Sequence, residues 1–294
     1  MKALVTGGAG FIGSHLVDRL IELGHEVVVL DDKKSIYMND KAINYEAEIC
    51  NFGDTRSLYD DVDYVFHLAA DTSTMATINN PIKTNFINTF GTNVVLQCSR
   101  EARAKRVVYV STYSVYGNNE IPNKETQIPD CTNPYSLSKL QGEQLCKLYS
   151  SLFKLETIIL RPFVVYGDRQ PEGGQYSPIM HLFDLGKTKN NPVKIIGKGE
   201  NKKDFIHVSD FVEACIIAAT VNLDKRHIAS EFNIGSGKSY STNEIGKIYN
   251  HPISYTSKKN EEVKHSLANI EKSQSLLGWT PKIKLEDWII EKNV

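Results

Sequence analysis

Tyr135 and Lys139 stand four residues apart in "NPYSLSKLQGEQL". On a helix this spacing puts a phenol and an ammonium on one face, where both can meet the same ligand. A phenol so placed can take the proton of an alcohol while a hydride leaves the carbon that bears it. Free tyrosine, with a pKa of about 10, is a poor base at neutral pH. A neighbouring ammonium and a positively charged redox ring would favour the phenolate. Tyrosine and lysine are common residues, so the meaning of the pair depends on what else the chain carries.

A second group lies near the N-terminus. "VTGGAGFIGSHL" sets Gly7, Gly10 and Gly13 three residues apart behind a short apolar run. The first glycine permits a tight turn, the second lets backbone approach a pyrophosphate, and the third lets a helix pack closely on its strand. Phe11 and Ile12 open that helix, whose N-terminal N–H groups and partial positive charge suit an anion. Asp31 ends the next apolar run, "HEVVVLDD", and Asp32 follows it. A carboxylate there accepts from both ribose hydroxyls of an adenosine and repels a 2′-phosphate, which predicts NAD. Lys33 and Lys34 come next and could instead hold a phosphate; Asp31, nearest the ribose, decides for NAD.

The elements that would position these groups can be read in order. "KALVT" reads as a buried strand, and Phe11 to Leu23, with apolar residues at 12, 16, 17, 20 and 21, as a helix closed by Gly24. "HEVVVLDD" completes a βαβ unit. "INYEAEI", "VDYVFHLAA", "KRVVYVSTYSVYG" and "LETIILRP" read as strands three to six. "NFINTFGTNVVLQCSREA" and "NPYSLSKLQGEQLCKLYSSLF" read as helices between them. The alternation predicts an α/β fold with a doubly wound (Rossmann), mostly parallel sheet. Beyond Arg161 the texture changes to long Gly- and Pro-rich loops such as "GDRQPEGGQYSP". The expected division is a cofactor domain over 1–162 and a smaller C-terminal α/β substrate domain over 163–294. A segment near 205–236, around "EFNIGSG", returns to the main sheet, so the two interleave.

Composition narrows the class. The 294 residues are 41% hydrophobic and 23% charged, as in ordinary globular chains. A net charge of −1 gives no electrostatic case for nucleic acid or an anionic membrane. No apolar run reaches the ~18 residues that span a bilayer, and no secretory leader is legible. Five scattered cysteines without CxxC spacing fit a reducing cytoplasm rather than a disulfide scaffold. His67, His181 and His207 show no ligand spacing, so no metal site is expected.

Several ordered motifs then carry a resemblance over nearly the whole chain: "TGGAGFIGSHL", "FHLAA", "NTFGTN", "VSTYSVYG", "NPYSLSK", "LRPFVVYG", "KKDFIHVSDFVEA", "FNIGSG" and "LGWTP". The sequence resembles the extended short-chain dehydrogenase/reductases, in the NAD-dependent nucleotide-sugar epimerase/dehydratase group, with a UDP-glucose 4-epimerase-like pattern. The resemblance implies Tyr135 as catalytic base, Lys139 as the residue that tunes it and holds the nicotinamide ribose, and Thr112 as hydrogen-bond partner of the reacting oxygen. On the cofactor it implies Glu48 and Ile49 beside adenine, and Leu68, Ala69 and Ala70 along the nicotinamide half. It also implies Asn88, Ser111 and Phe163 as further cofactor contacts. On the substrate, a nucleotide-diphosphate sugar, it places Lys203 and, by a looser match, Lys259 at the diphosphate. Both are lysines where the family usually has arginine, so the bidentate fork is missing. Val164 stands where many relatives carry an asparagine.

Related dehydratases carry an Asp-Glu pair after the Thr112 position, for elimination, and related decarboxylases a glutamate at the second of those positions. This chain has Tyr113 and Ser114. The expected activity is therefore 4-epimerisation through a transient 4-keto sugar. A nucleotide-sugar reductase or dehydrogenase, a 4,6-dehydratase and a non-catalytic nucleotide-binding regulatory protein are the alternatives. The resemblance also implies a homodimer packed through the helices that carry residues 88–97 and 135–148.

Overall fold

The computed structural model describes residues 1–170, 179–256 and 265–292. The chain begins with β1 (Lys2–Thr6), α1 (Phe11–Glu22), β2 (Glu26–Asp31), β3 (Ile43–Glu46), α2 (Phe52–Thr55) and β4 (Tyr64–His67). It continues through α3 (Thr74–Asn79), α4 (Pro81–Asn85), α5 (Gly91–Glu101), β5 (Arg106–Val110), α6 (Pro134–Phe153) and β6 (Thr157–Pro162). Then come β7 (Val164–Tyr166), α7 (Ile179–Lys189), β8 (Val193–Ile196), β9 (Lys202–His207) and α8 (Val208–Thr220). The last elements are β10 (Glu231–Ile234), β11 (Ser239–Ser241), α9 (Thr242–Ile248), β12 (Ile253–Thr256) and α10 (Leu285–Lys292).

Seven strands form the main sheet in the order β10-β6-β5-β4-β1-β2-β3, every neighbouring pair parallel. The strands are apolar on both faces, as a sheet covered twice requires. Ala3, Val5, Val27, Val29, Val108 and Leu160 pack with α1 and α8 on one side. Leu4, Val28, Leu30, Val107, Tyr109 and Ile159 pack with α5 and α6 on the other. The edge strand β3, the polar "INYE", is largely exposed. Winding reverses at β1, whose neighbours are β2 and β4. The turns that leave β1 and β4 therefore diverge there and open a crevice at the carboxyl edge, the usual ligand position in such sheets.

The second half builds a three-stranded sheet, β11-β9-β7, and a two-stranded one, β12-β8. Phe183, Phe205, Tyr240, Ile245, Tyr249 and Ile289 form its own core. Two stretches of this half belong to the large sheet instead: α8 and β10, and then Leu277 and Trp279, which pack in the same cluster as α1.

Several elements end earlier than the apolar runs suggest. The strand expected through "YVSTYSVYG" stops at Val110, because the Thr112 side chain accepts from Ser114 N at 3.1 Å and caps a 3-10 turn over Tyr113–Tyr116. The third and fourth strands likewise stop at Glu46 and His67. The helix expected from "NFINTF" onward opens as a π turn over Phe86–Phe90 before α5.

Candidate active site

The glycine turn leaves β1 with Gly7 at φ +73°, where a Cβ would lie 2.7 Å from Ala69 N. A Cβ on Gly13 would lie 2.0 Å from Gly7 O, so only glycine lets α1 begin this close to the turn. At Gly10 the nearest atom would be Gly7 O at 3.3 Å, and the side facing away from the protein is open. Gly10 caps α1 without any side-chain bond, and no acid stands in the first turn. These N–H groups thus meet no competing anion of the chain, which suits a phosphate. Phe11 and Ile12 are half-buried beside them. Asp31 accepts from Ala9 N at 3.0 Å and from Lys33 N at 3.1 Å, one bond to each oxygen. Each oxygen keeps a lone pair for a ribose hydroxyl. Burial pushes this carboxyl above its ordinary pKa. Asp32 and Lys33 are exposed, and Lys34 pairs with Glu46 at 3.5 Å. The turn, its open helix end and the acid fit a dinucleotide. Glu48 is exposed, and Ile49 is buried in the cluster with Val94 and Val95 of α5.

The opposite wall, Leu68–Ala70, is held by His67. The Thr92 hydroxyl donates to Asn88 O at 2.5 Å, so His67 Nε2–H donates to Thr92 Oγ1 at 2.9 Å. Nδ1 then accepts from Thr6 Oγ1 at 2.7 Å, and Ala69 N donates to that same Thr6 oxygen. One tautomer is fixed, and burial with Lys139 nearby pushes the ring down to about 3, keeping it neutral. Asn88, expected on the cofactor, is buried instead between α5's approach and α6. Its amide donates to Asp71 O (3.0 Å) and Ser138 Oγ (2.9 Å), and its oxygen accepts from Asp71 N (2.7 Å). Both its donors are engaged within the protein.

Helix α6 starts just ahead of Tyr135. Asn133 caps it in a reciprocal box with Ser136, and Pro134 occupies the first turn, where its missing N–H costs nothing. The cap places Tyr135 beside Thr112, whose hydrogen bond lowers the phenol's pKa. Burial outweighs it and pushes Tyr135 up to about 12. Lys139 is buried, with Nζ 4.3 Å from the centre of the Tyr109 ring. Burial brings it down to about 7, against the pull of Cys146 and Glu143. Charge on Lys139 is itself costly in that pocket, and burial dominates both groups. Ser111, also expected on the cofactor, points into the protein and donates to Glu143 Oε1 at 2.6 Å.

On the substrate side, Phe163 is buried and stacks on Tyr113 at 5.2 Å between ring centres. Lys203, on β9, brings Nζ to 5.8 Å from the same Tyr113 ring. Thr112, Tyr113, Phe163 and Lys203 thus meet at one place. Val164 is partly buried against the core cluster of the smaller unit, which explains an apolar residue there. Lys259 lies outside the described residues. No group of His, Cys, Asp and Glu among the described residues could hold a metal.

Sequence reading passed over Glu143 and Arg161, which form a buried ion pair behind Lys139 at 2.6 Å. The spacing held one signal: Glu143 follows Lys139 by four residues and so shares its helix face.

Comparison with known proteins agrees with this geometry. The model of the NAD dependent epimerase/dehydratase family matches residues 3–235. A Methanocaldococcus jannaschii protein that bears a provisional UDP-glucose 4-epimerase name is 36% identical over 300 residues, covering 97% of this chain and 95% of its own. UDP-glucuronic acid decarboxylase 1 of Xenopus tropicalis is 29% identical, covering 97% of this chain and 70% of its own. The UDP-glucose 4-epimerase of Thermotoga maritima, solved with UDP-glucose, superposes with a TM-score of 0.91 at 32% identity, covering 98% of this chain and 96% of that one.

Proposed function

The chain belongs to the NAD-dependent epimerase/dehydratase family, and from that premise we propose that it inverts the 4-hydroxyl of a nucleotide-diphosphate sugar through a transient 4-keto form. The observation that carries this reading is the meeting of Tyr135 with Thr112 one helical turn from Lys139, at the carboxyl edge of the sheet. NAD, held by the glycine turn, Asp31 and Lys139, would supply the hydride-transfer chemistry at the sugar carbon. Tyr135 takes the hydroxyl proton and later gives it back. Thr112 hydrogen-bonds the reacting oxygen and so fixes the distance of the proton's travel. Lys139 supplies positive charge and holds a ribose hydroxyl. Gly7, Gly10 and Gly13 carry the pyrophosphate on the α1 N-terminus, and Asp31 takes the adenosine ribose.

Lys203 lies beside the aromatic wall of Tyr113 and Phe163, within reach of a diphosphate there. A lysine is a point charge without a fork, so it fixes the phosphates less tightly than an arginine would. Elimination needs an acid and a base after Thr112, and Tyr113 and Ser114 supply neither. Tyr113 is instead stacked on Phe163, and Ser114 is bonded to Thr112.

The test is a panel of nucleotide sugars scored for inversion at the 4-position, with wild type beside Tyr135→Phe. The variant is expected to keep NAD through purification, read by mass spectrometry, and to lose roughly 10²–10⁴-fold in turnover. Net consumption of NADH with a keto sugar would make the protein a reductase. A variant that turns over as fast as wild type would remove Tyr135 from the mechanism. We further infer a homodimer packed through the helices that carry residues 88–97 and 135–148; exposed apolar side chains on and beside them are Ile82 of α4, Phe86 and Phe90 of the π turn, and Leu137, Leu148 and Leu152 of α6.

A further inference from the structure

Behind the proton-transfer helix lies a largely buried charged cluster, whose Arg161 also reaches the partly exposed Glu231 at 3.6 Å. Glu143 is fully buried. Its Oε1 accepts from Ser111 Oγ (2.6 Å) and Arg161 Nε (2.8 Å), and its Oε2 from Arg161 Nη2 (2.6 Å). Arg161 Nη1 donates to Tyr116 OH at 2.9 Å, and that hydroxyl donates to Asn233 Oδ1 at 2.7 Å. Asn233 Nδ2 then donates to the carbonyls of Asn123 and Asn269. The cluster joins α6 to the ends of β5, β6 and β10.

A buried ion pair is a poor device for stability alone. The cost of taking both charges out of water roughly cancels their attraction, and apolar side chains of the same volume often do as well. What distinguishes Glu143 is its place. It lies one turn beyond Lys139 and two beyond Tyr135 on one helix face. Lys139 is faced by the Tyr109 ring from β5, by neutral His67 from β4, and by Tyr135, Glu143 and Cys146 from α6, with Arg161 of β6 beyond Glu143. Burial raises the phenols of Tyr109 and Tyr135 and the thiol of Cys146 above their ordinary values. Glu143, clamped by a guanidinium and a hydroxyl, is the anion of this group.

We propose that Glu143 is a positioning residue for the proton transfer: held by Arg161, it keeps Lys139 an ammonium and ties the Ser111–Thr112 strand end to the helix of Tyr135. The proposal rests on the reading of Tyr135 and Lys139 as the proton-transfer pair. In this arrangement Arg161 fixes where the carboxylate stands, and Ser111 transmits its place to Thr112. Together they set two things at once, the charge beneath the cofactor site and the distance from phenol to threonine.

Lysine labelled with ¹³C at Cε, with Lys139 assigned by its loss in Lys139→Arg, gives the titration of that side chain directly. Glu143→Gln keeps the shape and removes the charge; it is expected to lower the Lys139 midpoint by roughly one pH unit. The alkaline limb of the turnover profile should move down with it, leaving activity at lower pH closer to wild type. Glu143→Leu/Arg161→Met removes both charges at similar volume and serves where the single variant does not fold. An unchanged Lys139 midpoint overturns the proposal, as does a loss of turnover equal at every pH, or failure of both variants to fold. If wild type epimerises no sugar of the panel, the reaction assigned above fails, and the lysine midpoints still decide the role of Glu143.

Discussion

Gly13 shows how one missing methyl group sets the site. A Cβ there would stand 2.0 Å from Gly7 O, against backbone that cannot yield without opening the turn. Gly13→Ala is expected to cost at least the ~1–3 kcal/mol of an overpacked core and to lose NAD in purification. Gly10→Ala meets the same Gly7 O at 3.3 Å, a contact that a few tenths of an ångström relieves, so it should lower the melting temperature far less than Gly13→Ala while weakening cofactor retention. Calorimetry beside mass spectrometry of the bound nucleotide separates the two effects. At this scale much could be read from the sequence. The glycine spacing, Asp31 and the Tyr135–Lys139 interval are local patterns, and local geometry gives them meaning. Arg161 could not be read so, because its charge lies within an apolar strand and its partner Glu143 is 18 residues away. Ser111 and Asn88 show the same limit: a polar side chain next to a site is drawn inward when a buried partner waits there.

Elements are read well in their middles and poorly at their ends. Parallel strands covered on both faces appear as unbroken apolar runs, so β1, β2, β5 and β6 were plain. Their limits are set by side chains that compete for backbone, as Thr112 does after β5. Ends of this kind also carry pH dependence. Ser241 and Glu244 form a capping box at α9, with Glu244 Oε2 accepting from Ser241 N at 2.7 Å. Those bonds, aided by Lys202, hold the Glu244 carboxyl down to about 2. A depressed carboxyl stabilises the fold above its unfolded value near 4.3 and loses that contribution as pH falls toward 2. Wild type should therefore melt above Glu244→Gln at pH 6, and the gap should narrow below pH 4 and close only toward pH 2, measured by thermal scans of both.

Over the whole molecule, the doubly wound plan followed from the order of strands and helices, and the second half was the harder part. Its strands are short, and the long connections around them carry no period. Its outer helices add a question of assembly. Ile82 on α4 is 83% exposed and Leu152 on α6 62%, and the two helices pack against each other. Apolar side chains this open, gathered on one side, suit a second copy of the chain. Light scattering should give twice the chain mass for wild type, and Leu148→Glu/Leu152→Glu should give one chain with its fold intact. A single-chain mass for wild type would remove the dimer.

The late return of the chain has its own consequence. Trp279 donates its indole N–H to Asp210 O, and Asp210 in turn accepts from the backbone of Lys282 and Ile283. The C-terminal stretch is thus a peg driven through to the far layer of the molecule. No cut between the halves leaves two intact pieces: a fragment stopped at residue 235 would expose the socket on α8, and the remainder would carry a tryptophan with nowhere to dock. Swapping the substrate half for another in a chimaera would need four junctions, near residue 163, before α8, after β10 and again before the peg.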